Sequence, residues 1–193
     1  MFLKDFTRTV PAHPVLAARN PRPETGLLAG TRIETETGWR EVSTLRIGDR
    51  VQSWDGGLVR IVALDRHPLA AGTCALRLAG GLLGTCDDLL LLPGQHLLIE
   101  TLDDPALPDA LAVLVPASAL CGRPGVTEID LPCSEAVVPV FAEEEAIWCQ
   151  TGTLAHCPGL ADNAATLPGE GFFPRLSPMA ARAFLDRRLR LAA

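Results

Sequence analysis

Cys149, His156 and Cys157 lie close together in the last third of the chain, and thiol and imidazole are side chains that zinc and redox chemistry draw on. No fourth ligand stands at a standard spacing and no Cys-x-x-Cys pair exists, so neither a metal nor another cofactor is expected. The full set of six cysteines (Cys74, Cys86, Cys121, Cys133, Cys149, Cys157) is widely spread and reads as reduced, mostly buried thiols rather than a disulfide framework. His96 follows the apolar run Leu89-Leu90-Leu91-Leu92 and the turn residues Pro93-Gly94. An imidazole there is either a general acid or base or, as a lone histidine beside an apolar run, a hydrogen-bonded core residue. His13 and His67 each precede a proline and read as loop residues.

The elements that must position these groups are short. From residue 26 onward strand signals alternate with turn signals at close intervals, which is all-β behaviour. Strands are predicted over 32–35, 39–42, 51–54, 58–64, 75–78, 89–92, 96–101 and 112–115, with 136–141 and 146–150 as a last hairpin. Within this series Leu45-Arg46-Ile47-Gly48-Asp49 reads as a reversal with Gly48 at positive φ, and Asp55-Gly56-Gly57 as a type I′ hairpin turn. The acidic run Glu143-Glu144-Glu145 reads as a solvated turn. Ser177-Pro178 is an N-cap followed by proline at the first helical position, and 179–191 carries helix formers throughout. On that helix Phe184, Leu185, Leu189 and Leu191 form an apolar stripe, with Arg182, Arg187, Arg188 and Arg190 largely opposite, as expected of a capping helix packed on a sheet.

Composition sets bounds on function. The chain has 193 residues, 48% of them apolar, enough for one domain with a sizeable core. A net charge of -6 argues for a soluble protein and against broad nucleic-acid binding. No apolar run is long enough for a membrane span, and residues 1–22, broken by Pro11, Pro14 and Pro21, lack the continuous apolar core of a signal peptide. A cytoplasmic location is expected, with leaderless secretion also compatible. Lys4 is the only lysine, a bias of the kind that a GC-rich bacterial genome produces. No motif names a partner or an oligomeric state.

Four blocks, read together, carry a resemblance. They are Gly26-Leu27-Leu28-Ala29-Gly30-Thr31-Arg32-Ile33; Gly38-Trp39-Arg40-Glu41-Val42 with Leu45-Arg46-Ile47-Gly48-Asp49-Arg50-Val51; Leu92-Pro93-Gly94-Gln95-His96-Leu97-Leu98; and Leu114-Val115-Pro116-Ala117-Ser118-Ala119-Leu120. In this order they resemble the Hint (hedgehog/intein) family, the last block being similar to a V-P-A-x-x-L segment of its bacterial members. The resemblance implies an all-β, horseshoe-like antiparallel fold with pseudo-twofold symmetry, here followed by a C-terminal α-helix. The implied organisation is an arm over 1–25, a Hint-like domain over 26–160, and a linker with the helix over 161–193.

The resemblance also implies a chemistry. In that family a cysteine attacks the carbonyl of the residue before it, and a histidine donates a proton to the leaving nitrogen. The nucleophile position falls on Gly26, which has no side chain. The family's histidine falls on His96, and the threonine three residues before it falls on Pro93. The His-Asn ending of inteins has no counterpart, since His156 is followed by Cys157. The expectation is a structural or interaction module without self-cleavage. The alternative is cleavage between Glu24 and Thr25, with the Thr25 hydroxyl as nucleophile and His96 as its partner.

Overall fold

A computed structural model describes residues 25–102, 104–150, 152–160 and 172–191, the last three of these as backbone only. Almost all of the predicted arm therefore lies outside the described residues, as does 161–171. The strands in chain order are β1 (Leu27–Leu28), β2 (Arg32–Thr35), β3 (Gly38–Glu41), β4 (Arg50–Gln52), β5 (Leu58–Arg60), β6 (Ala63–Leu69) and β7 (Thr73–Leu78). They continue as β8 (Leu89–Leu91), β9 (His96–Glu100), β10 (Ala112–Pro116), β11 (Val126–Leu131), β12 (Ser134–Val140), β13 (Glu145–Cys149) and β14 (Thr153–Cys157), and α1 (Pro178–Leu191) closes the series.

All pairings between these strands are antiparallel. One sheet has the order β11-β7-β8-β1-β12-β6, and the other β10-β9-β14-β13-β2-β4-β5 with β3 on β2. Their inner faces share one core in which Leu27, Ile33, Val51, Leu91, Leu97, Val137 and Ile147 are buried, and Ala181, Phe184 and Leu185 of α1 close it. The helix starts as expected, the Ser177 hydroxyl accepting the Ala180 N–H. An all-β, antiparallel fold followed by a C-terminal helix is thus observed, as expected.

The local signals can be followed to their causes. Gly48 has φ of 95°, and the Asp49 carboxylate accepts the Arg46 N–H at 3.0 Å and Arg40 Nη1 at 2.9 Å, which pins the reversal. The Asp55-Gly56-Gly57 hairpin forms, but not through a type I′ turn. Gln52 pairs with Leu58, leaving a wider loop closed by Ser53 N–H to Gly57 C=O, and of its residues only Gly57 has positive φ.

Several expectations are corrected. The strand predicted over 58–64 is two strands, because the chain changes sheets: Ile61 bonds to Gly48 and Asp49 while Val62 N–H donates to Val140 C=O. The last hairpin is absent for the same reason. β12 pairs with β6 and β1, whereas β13 pairs with β14 and β2 in the other sheet. His67 is not a loop residue but sits in β6, an edge strand that tolerates Pro68. β11 and β14 were not anticipated; β11 alternates imperfectly and β14 is short and built partly of small residues.

Candidate functional site

Residue 26 enters the fold directly before β1, which lies between β8 and β12. Its φ is 123°, a conformation side chains disfavour, and a Cβ there would sit 3.1 Å from Ala136 Cβ and 3.2 Å from Val138 Cγ2. Glycine is therefore what the backbone at this point admits. The Gly26 N–H donates to Gln95 Oε1 at 2.9 Å. Gln95 is itself buried, and its Nε2 donates to the His96 carbonyl at 3.0 Å and the His156 carbonyl at 2.8 Å. One amide side chain thus ties the entry of β1 to the backbones of both histidines.

The turn that holds Gln95 is clasped by the V-P-A block. Ala117 N–H donates to Gln95 C=O and Ser118 N–H to Pro93 C=O, each at 2.8 Å, and Pro116 lies opposite His96 in the β10–β9 register. Two of the sequence blocks thus act together to place His96 at the start of β9. Since Ala155 pairs with Leu97, β14 brings His156 beside it, with ring centroids 6.4 Å apart.

Beyond the imidazoles lies a charged cluster. The Glu144 side chain is 5% exposed; it meets His156 Nε2 at 2.8 Å and accepts Arg175 Nη2 at 3.1 Å and the Phe173 N–H at 3.2 Å. Burial pushes the Glu144 carboxyl up, but the hydrogen bonds from His156 and Phe173 and the positive charges nearby outweigh it and hold the group at about 2. The expectation of a solvated turn fails at this residue. Arg175 and Phe173 belong to a strap before α1, which adds in parallel to the edge of β10: Leu114 N–H donates to Pro174 C=O and Leu176 N–H to Leu114 C=O. Phe173, itself buried, stacks edge-on against His156 and tilts against Trp54.

His96 is half-buried, and burial, followed by the charges of Arg175 and His156, lowers its pKa from 6.5 to about 4. At neutral pH the ring is uncharged. Thr25 is exposed at the start of the described chain.

The three residues of the notional metal set are not brought together. Neighbours on a strand point to opposite faces, so Cys157 enters the main core while His156 turns outward to Glu144. Burial drives the Cys149 thiol up to about 12 and raises that of Cys157 as well. Among the described residues no cluster of three or more His, Cys, Asp or Glu could hold a metal ion. Of the six cysteines only Cys149 and Cys157 are buried; Cys74, Cys86 and Cys133 are exposed, contrary to the expectation of mostly buried thiols.

Sequence reasoning found His96 and missed Gln95, Glu144 and Arg175. Gln95 had one usable signal, its place between a turn and the histidine. Glu144 was masked by its acidic neighbours, and Arg175 lies far along the chain from its partners.

The Hint domain family model matches residues 25–151, about two thirds of the chain. The chain belongs to the Hint domain family. Among solved structures it is similar to a splice-inactive variant of the AceL NrdHF class 3 split intein, at 11% identity and a TM-score of 0.48, covering 69% of this chain and 97% of that one. It is also similar to a bacterial intein-like domain from Clostridium thermocellum, at 12% identity and a TM-score of 0.48, covering 68% and 98%. No curated protein matches the chain. Among the described residues no helix is long and apolar enough to cross a membrane.

Proposed function

We propose that this Hint domain performs no acyl shift at residue 26 and serves as a structural or interaction module. The observation that carries the reading is Gly26, which lacks an attacking atom and occupies a backbone position that crowds any side chain. Three further features support it. The residue-26 N–H is engaged by an oxygen of Gln95, an acceptor that has no proton to give the nitrogen. His96, with its pKa at about 4, is uncharged at neutral pH and is a poor proton donor there. Pro93 supplies neither a hydroxyl nor an N–H where the family resemblance places threonine.

The competing reading uses Thr25. Its Oγ would attack the Glu24 carbonyl, the bond from that carbonyl to the Thr25 nitrogen would break, and an ester with a free Thr25 amine would result. Hydroxylamine then releases residues 1–24 as a hydroxamate. Incubating the purified chain with hydroxylamine, beside a Thr25→Ala variant, separates the two readings. The module reading expects both to stay intact. A fragment ending at Glu24 that forms in wild type and not in the variant overturns it in favour of self-cleavage.

A further inference from the structure

β9 begins at His96 beside the Gly26 entry and ends at Glu100 beside a concavity of about 820 Å³. That volume lies in the range of small-molecule sites, roughly 300–1,000 Å³. Its apolar walls include Leu82, Leu83, Leu98, Trp148 and Leu154, and its charged lining is limited to Glu100 and Arg188. Leu98 and Leu154 face each other across the β9–β14 register, so the sheet forms the floor, and the loop of Leu82 and Leu83 forms one side.

A second observation falls on the same place. Among the described residues only Leu83, Leu102 and Gln150 are non-glycines with positive φ, at 53°, 46° and 44°. Leu83 and Leu102 both line the concavity, and Gln150 stands two residues before Gly152, which lines it too. Left-handed backbone is unfavourable for a bulky residue and persists where surrounding structure enforces it, commonly at ligand clamps. Here the Thr153 hydroxyl donates to the Leu83 carbonyl at 3.3 Å and helps to enforce it.

We infer that this concavity binds a linear apolar chain ending in a carboxylate. The apolar walls select the chain, and Arg188 selects the head. Arg188 has no ion pair or hydrogen bond among the described residues, leaving its guanidinium available to a carboxylate. Glu100, of opposite sign, repels an anion and so orients the head toward Arg188. Binding here is independent of any chemistry at residue 26.

Titration calorimetry on the full chain tests it, with dodecanoate as probe and dodecanol as its uncharged counterpart, each below its micellar concentration. One molecule of dodecanoate is expected to bind per chain, more tightly than dodecanol. Arg188→Gln should weaken dodecanoate at least tenfold and leave dodecanol unchanged. Leu102→Glu, at a largely exposed lining position where folding tolerates a charge, should weaken both. As an independent readout, tryptophan fluorescence should respond to dodecanoate in wild type and lose that response in Trp148→Phe. Absence of saturable binding, or binding that neither Arg188→Gln nor Leu102→Glu affects, overturns the inference. So does dodecanol binding as tightly as dodecanoate.

Discussion

The two ends of β9 differ in how far their side chains are already committed. At the His96 end the polar side chains around the imidazole are committed to one another and to the backbone. Gln95 commits its amide to three backbone groups, and Glu144 commits its carboxylate to His156, Arg175 and the Phe173 N–H. At the Glu100 end the groups are chemically bland, yet Arg188 is unpaired among the described residues and two leucines hold a left-handed backbone. What differs is whether any bonding capacity is left over, and here it is left over at the Glu100 end.

The largest expected effect breaks the saturated end. Glu144→Ala removes the acceptor shared by Arg175, His156 and the strap, and should cost about 3 kcal/mol in urea unfolding. Retention of full stability would mean that the cluster is not a buried network. The acid dependence has a defined sign. The carboxyl is held at about 2 against 4.5, so its stabilisation is complete above 4.5 and is lost as pH falls toward 2. Glu144→Gln should remove that portion of the acid loss.

A smaller effect is expected at Gln95. Gln95→Ala leaves the buried Gly26 N–H without its acceptor and should cost about 2 kcal/mol. It should also speed exchange of the Gly26 amide at least tenfold relative to that of Ala29, which is bonded to Glu135 C=O. Unchanged exchange would show that Gln95 does not hold the entry of β1.

His96 gives the next step down. Its pKa falls from 6.5 in the unfolded chain to about 4 in the fold, so its contribution is complete above 6.5 and declines as pH drops toward 4. The loss should be roughly 1–2 kcal/mol once solvent screening of a half-buried ring is allowed for, and His96→Gln should flatten it. Smallest of all, Leu102→Gly should relieve a left-handed backbone at an exposed position and raise stability by about 0.5 kcal/mol. A loss there would mean that the Leu102 side chain, not its backbone, governs that end of the strand.

How much of this was legible in the chain depended on how local the cause was. The Gly48-Asp49 reversal, the start of α1 at Ser177 and the lack of a side chain at Gly26 are local facts, and each reads directly. The switches between sheets at Ile61-Val62 and between β12 and β13 are not, because apolar alternation shows that a strand exists without naming its partner. The site suffered in the same way. His96 stood out by type, while Glu144 takes its partners His156, Phe173 and Arg175 from 12, 29 and 31 residues along the chain. Grouping His156 with Cys149 and Cys157 failed because proximity in sequence ignores the strand pleat, which turns adjacent residues to opposite faces.

That residue 26 has nothing to attack with is tested most directly by the intact mass of the freshly made full-length chain. Followed over a day at neutral pH, with and without a thiol reductant, the mass should remain that of all 193 residues. Spontaneous loss of the first 24 or 25 residues would contradict this and mark the domain as self-cleaving.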